Sequence, residues 1–565
     1  MQTGELMKKE HVILAFILVL AFLLRFYGVL VNVSPHFREA TYGMAAWRIV
    51  EGQIPYRDFY HAQPPISPFL LAFVFLLFGV GVVQGRLFLA FFTTFTTLMI
   101  FLVGKRIDYK TGLLGGLIFA VASVSITYGM RVLNDFIAMT FCIIGYYFLT
   151  SVIINYNKSD FPAEMYKLIL AGLFVGIGIL VKTIVVPISL AFIVILIMEG
   201  EFAKIKHSNQ IKNVIFLIIG FSLPFLFIFL PFYLLIGDSF IVQVLGQHLA
   251  KESVPLTERW IFPIRFIILD DSYFFAFFAL SIPFAVRKPQ GRGLIICVLF
   301  MVLTTLLFVP RQYANYYDAN ILWMSISCGF FPLPSYKSLN SKLLTVNFII
   351  VANLLFYKVY RHFNLDMARI AYLNHYLSQV ALVITLIGLA ALTIILIIDE
   401  GFNELATNSK PKNSKYFLSQ VFKSLKNTFS RDGIKIIIVI SLTFLIATTY
   451  FSYFPISEKD QNTISWIKAN TSPDEYILSD DMKINFWAKR RSPFAEISKD
   501  RTDLGELTGE MFIQACYDFD IRVIVNAGRM FDYRDTYIVF LDFLEANYAQ
   551  IEVGHTIYVR TTPLQ

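Results

Sequence analysis

The chain has 565 residues, of which 56% are hydrophobic and 16% charged, and a mean hydropathy of +0.63; one soluble core is excluded, and the bilayer must be its solvent. The formal charge of +8 reads as Lys and Arg collected in inner-side loops rather than as a nucleic-acid footprint. Cys142, Cys297 and Cys328 fall in apolar runs and Cys516 stands alone in a polar region, which spells out neither a disulfide framework nor a metal-ligand cluster.

The first apolar run, 11–31, follows Lys8 and Lys9, carries Arg25 and lacks a small-residue cleavage site, so it reads as a retained first span. Runs near 86–104, 112–130, 136–156, 168–199, 213–236, 272–286, 293–309, 318–335, 343–357, 379–398 and 434–453 are long enough, or nearly so, to cross about 30 Å of hydrocarbon. The run 168–199 is too long for one crossing and holds Lys182 at its middle. It divides into two spans turning at that lysine, which gives about thirteen transmembrane helices.

Segment 65–83 is apolar but short, and prolines 64, 65 and 68 stand at its start. If it crossed, the basic loops at Lys105–Lys110, Lys204–Lys212, Arg287–Arg292 and Lys410–Arg431 would lie outside. Left uncrossed, it returns them to the side of Lys8 and Lys9, as the positive-inside rule requires, so an interfacial or re-entrant helix is expected.

The expected fold class is an all-α polytopic membrane domain over 1–453, with a first external loop at 32–85, plus a small α/β extracytoplasmic domain over 454–565. There, EYILS, RVIVNA and HTIYVR alternate with amphipathic stretches near 459–469, 507–517 and 535–546. The expected location is multi-pass in the plasma membrane, with the N-terminus cytoplasmic.

This topology puts four candidates on the external face: Glu39 just past the first span, Asp135 at the outer start of a span, Lys182 at its turn, and Arg311 opening PRQYANYYDAN. Each has an ordinary reading. Glu39 is then a solvated interfacial charge, Asp135 a helix cap, and Lys182 and Arg311 snorkelling cations. Taken together, two carboxylates and two cations at one surface suit a base for a hydroxyl and a cradle for a lipid phosphate. Arg25 has either a structural partner or an external acid or headgroup. His248, Glu252 and Arg259 in the 237–262 loop either border an acceptor site or are solvated.

The chain resembles the membrane glycosyltransferases of the C superfamily, in the family-39-like group that includes protein O-mannosyltransferases and the aminoarabinose transferase of lipid A. The resemblance rests most on the first external loop, where that group shows an acidic pair, a Tyr- and Ala-rich helix, G-x-x-P-Y-x-D and Pro-Pro. Glu39, Tyr42, Gly52, Pro55, Tyr56, Asp58, Pro64 and Pro65 match. Asp135 looks like the second acidic corner, Gly172 through Lys182 like a G-x-x-x-G-x-x-x-x-x-K segment, and Arg311 through Tyr317 like the Arg-aromatic stretch before a late span. Arg38 stands where the family has the first acid of its pair. Either Glu39 takes over, or Asp135 carries more of the work, or activity is altered or lost.

The resemblance implies a polyprenyl-phosphate-linked sugar donor, an acceptor hydroxyl on a lipid, glycan or protein, and inversion. Glu39 and Asp135 are the catalytic candidates, and Lys182 and Arg311 those for the donor phosphate. Arg38, Tyr42, Tyr56, Asp58 and His61 are substrate-site candidates. Membrane lipids are partners and nucleic acid is not. No cofactor is required, and no ligand set demands a divalent metal. The alternatives are a polytopic transporter or lipid flippase and an inactive glycosyltransferase relative.

Overall fold

The structure is a computed structural model that describes residues 2–30, 37–155, 165–246, 272–309, 320–330, 457–494, 507–528 and 534–561, with isolated positions between them. Arg311, His248, Glu252 and the spans expected over 343–357, 379–398 and 434–453 lie outside the described residues.

The membrane part is helical: α1 (Gln2–Leu30), α2 (Phe37–Val50), α3 (Ile66–Phe78), α4 (Val82–Lys105), α5 (Tyr109–Val121), α6 (Ser123–Gly129), α7 (Asn134–Asn155) and α8 (Met165–Val181). It continues with α9 (Val186–Phe202), α10 (His207–Pro224), α11 (Leu230–Ile236), α12 (Asp238–Ile241), α13 (Ser272–Ala285), α14 (Pro289–Phe308) and α15 (Ile321–Cys328). Five stretches among the described residues are long and apolar enough to cross a membrane: Val82–Lys105, Asn134–Asn155, Thr183–Phe202, His207–Ile236 and Pro289–Phe308.

The run over 168–199 breaks at Lys182, whose backbone is extended (φ −158°, ψ 126°) between α8 and α9. Helix α3, with 13 residues, spans only about 20 Å and cannot cross the hydrocarbon. Leu71, Ala72 and Phe75 pack inward, while Phe69, Phe73, Leu76 and Leu77 form an exposed apolar stripe.

The expected single span over 112–130 is corrected. It breaks at Ala122 (φ −62°, ψ 130°) into α5 and α6. A break of this kind leaves the last carbonyls of the first helix without intrahelical donors. Arg25, fully buried on α1, supplies them: Nη1 donates to Ala120 O (3.3 Å), Nη2 to Phe119 O (3.4 Å) and to Ser125 Oγ (2.5 Å). The guanidinium also lies over the Phe119 ring. Arg25 therefore has a structural role.

Helices α8 and α10 cross on glycines. A methyl built on Gly172 would strike the Leu217 carbonyl, and one on Gly220 the Ile169 carbonyl, so small residues let the two backbones meet where lipid offers no hydrophobic drive for association.

The C-terminal α/β unit contains α16 (Glu458–Asn470), α17 (Met482–Ala488), α18 (Gly509–Asp518) and α19 (Arg534–Asn547), with β1 (Leu478–Ser479), β2 (Val523–Asn526), β3 (Tyr548–Val553) and β4 (His555–Arg560). Strand order is β1-β2-β4-β3, parallel between β1 and β2 and antiparallel elsewhere, over a core of Ile464, Ile467, Ile484, Val523, Val525 and Ile557. Asp460 ties α16 to β4 through His555 (2.8 Å) and to α17 through Lys483, and these partners hold its carboxyl down at about 2.

The glycine crossing predicts a contrast between two like substitutions. Gly220→Ala should lower the thermal midpoint in detergent by several degrees, reflecting about 2 kcal/mol of overpacking. Gly116→Ala, whose methyl meets nothing nearer than 3.7 Å, should leave it unchanged or raise it.

Candidate active site

Helix α2 follows the first span and carries Glu39 in its first turn; Ala40, Ala45 and Ala46 are buried along it, Ala46 on the same face as Glu39. Glu39 is fully buried. Arg86, near the start of α4, grips it with a two-pronged ion pair, Nε to Oε1 at 2.8 Å and Nη2 to Oε2 at 2.7 Å, and the Val132 amide donates to Oε1 at 3.3 Å. Burial raises the pKa of this carboxyl. The charge and hydrogen bonds of Arg86, with help from Arg131 and the Val132 amide, outweigh burial and leave it below its ordinary 4.5.

Asp135 is the second residue of α7, where the helix end favours a negative charge. Its Oδ2 accepts from Lys182 Nζ at 2.6 Å, and both side chains are buried. Lys182 reaches it because the break between α8 and α9 falls at that residue. The corner 130–135 joins the two ion pairs: Val132 touches Glu39, and Asp135 lies three residues further on. Three of the four charged candidates thus surround one corner, and the lysine expected to await a phosphate is paired with the second acid.

The substrate-site candidates of the first loop separate into a frame and an edge. Tyr56 takes a left-handed backbone (φ 69°) inside a tight turn closed by its amide on Phe59 O (2.8 Å) and by Asp58 Oδ2, which accepts from the Ile54 amide at 2.8 Å. The Tyr56 phenol donates to Gln63 O at 2.6 Å, and burial pushes its pKa well above 10. Its ring packs edge-on against Phe232 and Phe240. Asp58 is exposed and also paired with Arg57, which with the Ile54 amide holds its carboxyl below the usual range. Tyr42 is buried on α2, and Arg38 is half-buried at that helix's start. His61 is buried. Its amide donates to Gln243 Oε1 at 2.9 Å, its Nε2 meets no hydrogen-bond partner, and burial pushes the imidazole down to about 3, so it is neutral at physiological pH.

Four residues here were missed by sequence reasoning. Arg86 and Arg131 sit at span edges and read as ordinary boundary charges. Gln243, in a helical turn after α12, holds the first loop by donating to Tyr56 O (2.9 Å) and accepting from the His61 amide. Trp487, on α17, lies under the Arg86 guanidinium with 5.3 Å from Cζ to the ring centre. A buried-charge rule applied to Arg86 would have found it; the other three have no local signal. Arg259 donates to Leu306 O and Leu307 O at the end of α14, a helix-capping role. No group of three or more His, Cys, Asp or Glu among the described residues could hold a metal ion.

Residues 62–232 match the sequence profile of the family described as dolichyl-phosphate-mannose-protein mannosyltransferase, under a third of the chain. The match includes Arg86, Asp135 and Lys182 and begins after Glu39. A search of the curated proteins finds none whose sequence matches. Among solved structures, ArnT from Cupriavidus metallidurans bound to undecaprenyl phosphate superposes with a TM-score of 0.59 at 12% identity, over 97% of this chain and 98% of that one. The apo state of the same protein gives 0.58 at 13% identity, over 99% and 98%. The chain therefore has the fold of a GT-C membrane glycosyltransferase and resembles the protein O-mannosyltransferase and ArnT group.

The buried Glu39–Arg86 pair makes a stability prediction. Arg86→Met leaves an unpaired buried carboxylate and should cost about 3–5 kcal/mol, most of it restored in the Glu39→Gln/Arg86→Met double variant, as read from thermal midpoints. Because the folded pKa of Glu39 is lowered, the pair contributes fully above the unfolded value near 4.5 and is lost as pH falls through the folded one. The wild-type midpoint should hold from neutral pH to about 5 and then fall, with this component missing from the double variant.

Proposed function

We propose that the chain transfers a monosaccharide from a polyprenyl-phosphate-linked donor to an acceptor hydroxyl at the extracytoplasmic face of the plasma membrane, with inversion. The observation that carries the reading is the buried Asp135–Lys182 contact at 2.6 Å, at the corner that Glu39 also reaches. The family match over this segment and the ArnT-like fold support the chemistry, and the ArnT structure holds undecaprenyl phosphate, the kind of lipid such a donor leaves behind.

Both Glu39 oxygens are taken by the Arg86 fork, so Glu39 suits a role in holding the corner. Lys182 offers Asp135 a compact ammonium on a flexible stem, a point charge that a phosphate also attracts. In this reading the donor phosphate draws Lys182 toward it and frees Asp135 Oδ2 for the acceptor hydroxyl. The acceptor oxygen bonds to the anomeric carbon, and the bond from that carbon to the phosphate oxygen breaks, its electron pair leaving with the phosphate. The hydroxyl proton goes to Asp135. Lys182, with Arg311 as a proposed second cation, stabilises the charge on the departing phosphate. That leaving group needs no general acid. No cofactor is assigned, and the acceptor is a lipid, glycan or protein.

Purified protein in lipid should transfer radiolabelled sugar from one of a panel of polyprenyl-phosphate monosaccharides, with native membrane extract as acceptor. Asp135→Asn should lower kcat about 10²- to 10⁴-fold. Glu39→Gln should lower stability and, by loosening the corner, lower kcat about tenfold to a hundredfold. No transfer by folded wild type from any donor would sink the reading and favour the transporter or the inactive relative, for which Arg38 in place of an acid is the sequence argument.

A further inference from the structure

The C-terminal α/β unit grips α2 along its length. In the middle, the Phe486 ring fills the notch left by Gly43: a methyl there would fall within 2.6 Å of ring carbons Cε1 and Cε2, so a larger residue would push the ring from its seat. Phe486 is buried and stacks at a tilt on Phe75 of α3, with ring centres 6.3 Å apart. At the far end of α2, Arg48 Nη2 donates to Ser492 O at 2.5 Å, and Arg491 pairs with Glu51 at 2.8 Å. Gly43 lies four residues after Glu39, on the same face of the helix. The residue after Phe486 is Trp487, whose ring underlies Arg86, the partner of Glu39.

We infer that the α17 segment completes the site from outside the membrane part: Phe486 fixes the seat of α2, and Trp487 is a positioning residue that shields the Arg86–Glu39 pair from water and holds it against the 130–135 corner. The unit is then a working part of the site. A cation over an indole face is attracted to the ring quadrupole, and more strongly where water is kept out, so Trp487 holds the guanidinium over its ring while Glu39 holds two of its nitrogens. The inference deepens the functional reading above, but only its activity arm rests on that reading.

The test uses full-length protein in lipid, labelled with a water-soluble carbodiimide and glycine ethyl ester and read by peptide mass spectrometry. In wild type, Glu39 should stay unlabelled while exposed Asp58 reacts. Trp487→Ala should raise Glu39 labelling at least about tenfold, the change in local opening that a desolvated contact of this kind controls, without changing Asp135 labelling. Trp487→Phe, which keeps a ring face, should restore the wild-type pattern. Where the alanine variant fails to fold, Trp487→Leu, which keeps apolar cover but offers no ring, takes its place with the same expectation. In the transfer assay, kcat should fall about tenfold to a hundredfold with the donor KM held. Wild-type labelling of Glu39 in folded Trp487→Ala or Trp487→Leu would overturn the inference, and so would labelling of wild-type Glu39 as fast as that of Asp58. Absent transfer in wild type would overturn the functional reading and leave the labelling result to decide this one.

Discussion

A charge buried in an apolar interior has to be answered by an opposite charge or by a full set of hydrogen bonds, and the membrane half of this protein is arranged around that requirement. Glu39 and Arg86 tie the surface helix α2 to the span α4, and Asp135 and Lys182 tie the start of α7 to the break between α8 and α9. Arg25 answers the same need with backbone oxygens, filling the gap that opens where α5 ends. At the α9–α14 contact, Arg292 grips buried Glu199 in another two-pronged pair, Nε to Oε1 at 2.8 Å. Each pair fixes the relative position of two elements that apolar packing alone would let slide.

The first loop shows that a signature and its chemistry need not coincide. The Gly-x-x-Pro-Tyr-x-Asp stretch reads in sequence as a substrate site. In the structure it makes a turn: Asp58 closes it from the exposed side, and Tyr56 anchors it among Phe232 and Phe240. Gln243 then holds both Tyr56 and His61 through side-chain hydrogen bonds. These residues fix the path by which the chain leaves α2 and enters α3, and so they set where the corner carboxylates sit without carrying charge to them.

What could be read from the sequence follows from how loud each physical signal is. A lysine in the middle of an apolar run is costly enough to announce a helix break, and Lys182 is one. Positive charge on one side of the spans, together with proline, predicts a segment that does not cross, and α3 is too short to cross. The break at Ala122 has no such signal, because alanine favours helix and the cause is a guanidinium on α1 about a hundred residues away. Helix α17 is seven residues long, too short for any periodicity, so Phe486 and Trp487 were hidden until the fold brought them to α2. Strand β3, Tyr548–Val553, escaped notice because Gln550 and Glu552 dilute its apolar alternation. Arg86 was passed over for standing at the edge of its run.

The grip on α2 also fixes an order of events in the cell. The Arg48–Ser492 contact joins residues 444 positions apart, and the Gly43–Phe486 contact is nearly as long-range. A ribosome delivers α2 long before its clasp, 444 positions ahead at the Arg48–Ser492 contact, so through that stretch of synthesis α2 is without α17. A chain that stops short of α17 would hold Glu39, Arg86, Asp135 and Lys182 and still lack the segment that seats them, so the ion pairs are made early and their clasp is added from far along the chain.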